Sequence, residues 1–456
     1  MVDAEIGRKS HHHTKHLRWA YVLVENHPDD LMYVSQIGWF YYDGTRWVED
    51  ADAARATQMV ANLLRIKRSS ATVDRETLQE IASCETAAGI RSVLELARTM
   101  PEFHFSVADL DADPNLLNVA NGTVDLLDGS RRAHSPLDRM TKITRARFDP
   151  NARSGTWEKF LETSIPDAEV RGFLQRYVGY ALSGRVTEHV LAILIGAGRN
   201  GKGVLYGALN HALGSYAGIG EPELFLSRQG GHPTGEMDLR GLRLVTVSET
   251  GQGAQLANGT VKRLVGGDKI KARRMRRDFV EFEPSHTPFL VTNHLPKVRG
   301  DDPALWARLR VVPFDVIIPE AERISDLPEQ LELAADAILM WSIAGRHDYD
   351  ARNGLDAPEA VLAATRDYQR AEDAVQQFLE QVPEQDSSGR ALFSAMYARW
   401  VNWAERQSQP PLAKGEFRKA LESRGITVRT GGASKQNQVH GFTLPTLKFQ
   451  MPANGD

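Results

Sequence analysis

One stretch constrains the fold of this chain more than any other. His189-Val-Leu-Ala-Ile-Leu-Ile195 is a nearly continuous apolar run, the pattern of a strand buried on both faces of a parallel sheet. Gly196-Ala-Gly-Arg-Asn-Gly-Lys-Gly203 follows at once, before a helical pattern that runs to about Leu213. A loop this rich in glycine can turn sharply and bring several backbone N–H groups onto one point, and the following helix adds the partial positive charge of its N-terminus. Gly196, Ala197, Gly198, Arg199, Asn200, Gly201, Lys202, Gly203 and Val204 are therefore the candidate nucleotide-binding residues, with Lys202 reaching the β- and γ-phosphates. The usual pattern places a serine or threonine after the lysine, where its hydroxyl helps hold Mg²⁺. Here that position is Gly203, and Val204 has no hydroxyl either.

Further buried-strand candidates are Arg243–Ser248, Pro288–Thr292 and Arg310–Phe314, alternating with helical stretches. That alternation predicts an α/β nucleotide-binding core over 185–320. The strand ends carry polar groups suited to phosphate chemistry. Leu242–Glu249 ends in an acid, so Glu249 is the candidate for holding Mg²⁺ or polarising the attacking water, with the Ser248 hydroxyl assisting the metal. Pro288-Phe-Leu-Val-Thr-Asn293 ends in an amide able to hold the γ-phosphate or the water. In Trp306-Ala-Arg-Leu-Arg310, Arg308 is the candidate to neutralise transition-state charge from a neighbouring subunit, with Arg310 in reserve. A solvated glutamate, a turn-forming asparagine and a surface arginine are the ordinary readings of the last three taken singly. Their order and spacing argue for a site.

A chain of 456 residues exceeds one ordinary core. Residues 1–16 are polar and without periodicity, the pattern of a disordered tail, and nothing in them resembles a secretory signal. Residues 17–184 form an α+β region: a hairpin is expected at Asp43-Gly44, helices over Ala53–Lys67 and Ile90–Met100, short strands over 116–148, and helices over 156–184. Residues 321–372 are helical, and 446–456 form a tail. Residues 373–445 show three helices (Ala374–Gln381, Ala391–Arg406, Lys414–Arg424) followed by two strands (Ile426–Thr430, Val439–Leu444), the order of a winged helix. No apolar run approaches the ~20 residues that span a bilayer, and the single cysteine, Cys84, excludes an intrachain disulfide framework and reads as a packing residue. A cytoplasmic protein fits these features. The formal net charge of −4 announces no nucleic-acid partner, but basic residues concentrate at 262–277 and 414–435.

Together these residues resemble superfamily III helicases, in the phage, plasmid and poxvirus primase-helicase branch. The resemblance rests on Gly196–Gly203, Gly241–Glu249, Lys262–Asp268 with Ala272-Arg273, Asn293–Pro296 and Asp301–Phe314, and on Asn118–Leu126 and Gly179-Tyr180 before the core. It covers about residues 110–445 and implies a hexameric or similar ring on an AAA+ core, ATP at subunit interfaces, travel along single-stranded DNA and a C-terminal winged helix. Gly203 and Ser248 depart from the pattern and bear on how Mg²⁺ is held.

The basic stretch Lys269–Arg277 precedes the alternating Phe279-Val-Glu-Phe-Glu283 and predicts a hairpin with a basic tip, able to follow a phosphate backbone. Lys269, Lys271, Arg273, Arg274, Arg276 and Arg277 are its DNA-binding candidates; a solvated basic strand edge is the rival explanation. In the C-terminal domain Lys414, Arg418, Lys419 and Lys435 are candidates for duplex or origin contact, with protein docking as the alternative. Asp109, Asp111 and Asp113 offer an acidic set for primase chemistry, but too few residues precede them for a whole primase domain. Two functions fit: an ATP-dependent ring helicase for the replication of a phage, prophage or plasmid, or a non-unwinding initiator or loader that uses ATP for assembly. Gly203 is the residue that keeps the second open.

Overall fold

The computed structural model describes residues 13–70, 73–227, 233–248, 251, 253–275, 277–298, 302–407, 411–431 and 436–445. The chain divides into two compact units, Met1–Pro296 with Ala307–Leu362, and Lys297–Trp306 with Ala363–Asp456.

The first unit begins with helix α1 (Lys15–Asn26), which starts just inside the stretch expected to be a tail. Strands β1 (Leu31–Val34), β2 (Gly38–Tyr42) and β3 (Trp47–Glu49) follow, then helices α2 (Ala54–Arg68), α3 (Arg75–Cys84) and α4 (Ala87–Ala97), then the short strand β4 (His104–Phe105). The sheet order is β3-β2-β1-β4. The hairpin expected at Asp43-Gly44 joins β2 to β3. Asp43 Oδ1 accepts from the Thr45 N–H (2.8 Å), the Thr45 hydroxyl (2.6 Å) and the Arg46 N–H (2.9 Å), while Gly44 takes φ +96°. Cys84 is buried in the core beneath this sheet, and burial pushes its thiol pKa up.

Strands β5 (Leu116–Val119), β6 (Gly122–Asp125) and β7 (Arg131–Arg132) form an antiparallel sheet. Helices α5 (Gly155–Ser164) and α6 (Ala168–Ala181) follow, each opened by a side-chain cap: Ser154 accepts from the Trp157 N–H, and Asp167 from the Glu169 and Val170 N–H groups. Within the same unit α6 crosses α11 (Ala335–Arg352), with Gly179 and Gly345 at the crossing. A Cβ on Gly179 would lie 2.1 Å from the Arg346 backbone nitrogen, and one on Gly345 2.0 Å from the Gln175 carbonyl oxygen.

The core is a five-stranded, all-parallel sheet of β8 (Leu191–Ile195), β9 (Ala217–Gly220), β10 (Leu244–Ser248), β13 (Thr287–Thr292) and β14 (Leu309–Pro313), in the order β14-β8-β13-β10-β9. All six residues of β13 are buried, which explains the absence of charge from Thr-Pro-Phe-Leu-Val-Thr. Helix α7 (Lys202–Leu213) follows β8, helix α8 (Asn258–Leu264) follows β10, and β11 (Ile270–Ala272) and β12 (Val280–Phe282) pair as the expected hairpin. The edge strand β9 was not expected. Its sequence, Ala-Gly-Ile-Gly, lacks the apolar run that marks the other four: two of its four residues are glycine, and its one branched side chain, Ile219, is exposed.

The second unit contains the short helix α9 (Pro303–Trp306), although its residues lie between β13 and β14 in the chain. Helices α10 (Leu327–Leu333) and α11 belong to the first unit, and the boundary between the units falls within α12 (Glu359–Glu372). Beyond it lie α13 (Ala374–Gln381), β15 (Glu384–Leu392), α14 (Phe393–Arg406), α15 (Lys414–Ser423), β16 (Val428–Gly431) and β17 (Gln436–Thr443), with sheet order β15-β17-β16. Phe378, Trp400, Trp403 and Phe417 form its aromatic centre. The three helices and two strands stand where the sequence predicts them, to within a few residues. The additional strand, β15, is polar and mostly exposed, with an irregular register between Gln385 and Arg390, so no period-two pattern announces it.

Candidate functional site

Strand register brings the candidate residues to one edge of the parallel sheet. Thr292 and Pro313 both pair with Ile195, and Ser248 pairs with Val291. The carboxyl ends of β8, β10, β13 and β14 are therefore level, and the residues after them share the crevice where open α/β sheets bind ligands. A cavity of about 360 Å³ opens there, lined by Gly198–Val204, Tyr206, Ser248, Val291, Thr292 and Asn293.

The loop passes through the left-handed region at three of its residues, Gly198, Arg199 and Gly201. Gly198 and Gly201 adopt φ of +96° and +87°, the left-handed region where a Cβ is penalised. Gly196 permits close approach: a Cβ there would sit 2.1 Å from Asn200 Nδ2 and 2.4 Å from the Phe314 carbonyl oxygen. The first turn of α7 begins at Lys202, so its leading N–H groups have no partner within the helix and face the cavity edge with the positive end of the helix dipole.

Lys202 is 5% exposed. Its Nζ donates to the Gly196 carbonyl (2.7 Å), to Asn200 Oδ1 (3.1 Å) and to Asn293 Oδ1 (3.3 Å). Burial lowers the pKa of this ammonium, and three oxygen acceptors compensate for the water it has lost. Asn200 also donates through Nδ2 to the Phe314 carbonyl (2.9 Å), tying the loop to the end of β14. Its place in the loop does not announce this bridge, and Tyr206, Val291 and Thr292 join the sequence candidates in the cavity wall. The spacing of Tyr206, four residues after Lys202 on one helix face, could have revealed it.

Arg308 stands elsewhere. It precedes β14, its carbonyl accepts from the Leu191 N–H at 2.8 Å, and the loop end of that strand is five residues on, about 16 Å away at ~3.3 Å per residue. The strand thus puts Arg308 at the opposite edge of its own sheet from the cavity. Arg310 donates to the Ala307 and Leu309 carbonyls, and burial lowers its pKa. Glu249, Arg276 and Lys435 lie outside the described residues.

In the hairpin, Lys269 is paired with Glu281 (3.9 Å) and Glu283 (3.2 Å). Lys271 and Arg273 lie over the half-exposed ring of Phe279, at 5.6 and 4.7 Å from its centroid. Arg274 is held by Glu49 of β3, and Arg277 is exposed. In the second unit Lys414 and Lys419 are exposed, while Arg418 is engaged by Glu422 (2.8 Å) and the Val428 carbonyl (3.2 Å). The acidic triplet is engaged structurally: Asp109 accepts from Ser106 and Asp113 from the Asn115 N–H within local turns, and Asp111 accepts from Thr141, 30 residues on. Among the described residues no group of three or more His, Cys, Asp or Glu could hold a metal, and no helix is long and apolar enough to cross a membrane.

Comparison with known proteins agrees with this architecture. Residues 20–166 match the family described as D5 N terminal like, and residues 194–308 match a family of unknown function (DUF5906). A protein of Acanthamoeba polyphaga mimivirus named "Putative helicase" is 26% identical over 305 residues, 60% of this chain and 32% of its own length. Another protein so named, from Invertebrate iridescent virus 3, is 23% identical over 331 residues, 64% of this chain and 35% of its own length. One named "Putative primase", from African swine fever virus, is 25% identical over 220 residues, 45% of this chain and 22% of its own length. The chain spans about a third of the length of the first two relatives. The apo structure of the NrS-1 C terminal region has the same fold, with a TM-score of 0.53 at 11% identity, covering 94% of this chain and all of that one. The protein is thus a mixed α/β protein with the fold of that region. Its residues 20–166 resemble the D5 N terminal like family, and the viral proteins it resembles are named as putative helicases and primases.

Proposed function

We propose that this chain is an ATP-driven helicase of superfamily III, with an AAA+ core over the parallel sheet and a winged-helix C-terminal domain, working as a ring, most simply a hexamer, on single-stranded DNA. The observation that carries the reading is the three-way contact of Lys202 with Gly196, Asn200 and Asn293 at the carboxyl edge of the sheet. A γ-phosphate entering the cavity would take the ammonium from these carbonyl acceptors, so binding would alter the link between the loop and β13. Lys202 would hold the β- and γ-phosphates, Asn293 would sense the γ-phosphate, and Arg308, at the far edge, would serve a neighbouring copy's site.

The cavity offers Mg²⁺ only neutral side-chain donors: among the described residues the Ser248 and Thr292 hydroxyls and the Asn200 and Asn293 amides line it, and Gly203 contributes no side chain. That set fits an ion coordinated mainly by phosphate oxygens and water, as is common for Mg²⁺, with Ser248 and Glu249 as the protein's share. Bound there, the ion would neutralise phosphate charge. The expected setting is replication of a phage, prophage, plasmid or virus in the host cytoplasm.

The direct test is strand displacement from a forked duplex. ATP should support it and a non-hydrolysable analogue should not. The second reading, an origin-binding initiator or loader using ATP for assembly, draws on Gly203. It gains if the chain binds duplex DNA and ATP yet displaces nothing.

A further inference from the structure

We propose that Arg240 and Arg274 form a seat for one backbone phosphate of the bound strand, and that the carboxylate of Glu49 fills this seat in the free chain. The proposal rests on the DNA reading above and adds to it a site and a gate. Glu49 ends β3 in the N-terminal sheet, whereas Arg274 lies in the tip of the β11–β12 hairpin, 225 residues away in sequence. The two meet through a two-pronged contact, Nη1 to Oε1 at 2.5 Å and Nη2 to Oε2 at 3.2 Å. Nη2 of Arg240 lies 3.7 Å from the same Oε2. A guanidinium fork accepts a carboxylate or a phosphate in the same geometry, so the group that closes the seat resembles the group it would take.

Two further cations stand near the seat, Lys142 and Arg46, the latter 3.6 Å from Asp43. The Lys142 side chain runs beside Gly241, where an added Cβ would lie 2.9 Å from Lys142 Cε. Arg240, Arg46 and Arg274 all act on its ammonium, with Asp111 opposing them. Asp111 already accepts from the Thr141 N–H (2.7 Å) and hydroxyl (2.5 Å), and Asp238 acts on Arg274. The Glu49–Arg274 pair is half open to solvent, with side-chain exposures of 29% and 52%. Exposed pairs contribute only about 0–1 kcal/mol and weaken with salt. A polyanion presenting a phosphate at every nucleotide can displace such a pair. Lys271 and Arg273, over Phe279, would make the first contact, and release of Arg274 from Glu49 would add the seat.

The test is fluorescence anisotropy with a labelled oligo(dT) and the full chain, at low and moderate salt. Glu49→Gln keeps shape and removes charge; it should bind about 3- to 10-fold more tightly at low salt, with a salt slope steeper by about 0.7, one phosphate more. The gain should vanish in an Arg274→Ala background and be absent in Glu95→Gln, which removes an exposed acid elsewhere. Glu49→Asp, with a shorter reach, should fall between wild type and Glu49→Gln, and Arg240→Ala should weaken binding. Unchanged or weaker binding by Glu49→Gln at an unchanged melting temperature, with Arg273→Ala still lowering affinity, would overturn the seat and leave the DNA reading standing. No oligonucleotide binding by any of these chains would remove both.

Discussion

Gly203 departs from the phosphate-loop pattern, and the structure shows what restoring the pattern would do. Gly203 is the second residue of α7, and among the described residues an added Cβ meets nothing within 4 Å. Its φ is not in the left-handed region, so a side chain brings no backbone strain. Gly203→Ser should therefore fold normally. Helix propensity alone favours serine over glycine by roughly 0.5 kcal/mol, worth about 1 °C or less in Tm for a unit of this size. The hydroxyl would stand beside Lys202 at the cavity edge. If it adds one ligand-strength contact of about 1 kcal/mol to Mg²⁺, the Mg²⁺ concentration for half-maximal ATP turnover should fall roughly fivefold. The assay is a Mg²⁺ titration at saturating ATP beside a thermal melt. A lowered Tm would show that the position has no room. An unchanged Mg²⁺ midpoint at full stability would refute the inference that position 203 faces the metal.

Gly179→Ala should destabilise the first unit by at least about 3 kcal/mol in chemical denaturation, because the new methyl meets the α11 backbone rather than a side chain that can move; Gly207→Ala, on the exposed face of α7 with nothing within 4 Å among the described residues, should be neutral or mildly stabilising. His286 is 1% exposed and burial holds its pKa at about 4, below the ordinary 6.5, so the fold favours its neutral form. Its contribution to stability is complete above pH 6.5 and is lost as pH falls from about 6.5 to about 4, roughly 3 kcal/mol in all; His286→Phe should flatten that part of a stability–pH profile. Asn293→Ala should leave ATP affinity within about threefold by calorimetry while single-turnover hydrolysis falls on the order of 10²-fold, since the amide touches Lys202 and stands where the γ-phosphate would arrive.

The strands of the core were legible because burial on both faces leaves little room for charge: β8 is purely apolar, and β10 and β13 interrupt their apolar residues only with threonine, serine or proline. What they position was legible for the same reason, since level strand ends make Gly196, Ser248 and Asn293 neighbours. The strands that escaped notice, β9 and β15, are edges whose side chains do little packing, so the hydrophobic pattern that selects the others is absent. Contacts were less legible than elements. Nothing in the spacing of Asn200 and Phe314, or of Glu49 and Arg274, announces a hydrogen bond across 114 residues or an ion pair across 225. Such pairings depend on which faces meet after folding. Nor does sequence order reveal that Lys297–Trp306 groups with the second unit.

The central claim is that the cavity turns over ATP for work on a single strand. The most direct measurement is ATP hydrolysis by the purified chain with and without single-stranded DNA, beside Lys202→Ala. Turnover stimulated by DNA and abolished by that substitution is the expected result. ATP binding without turnover, in Mg²⁺ and in Mn²⁺ alike, would contradict the motor and leave the initiator.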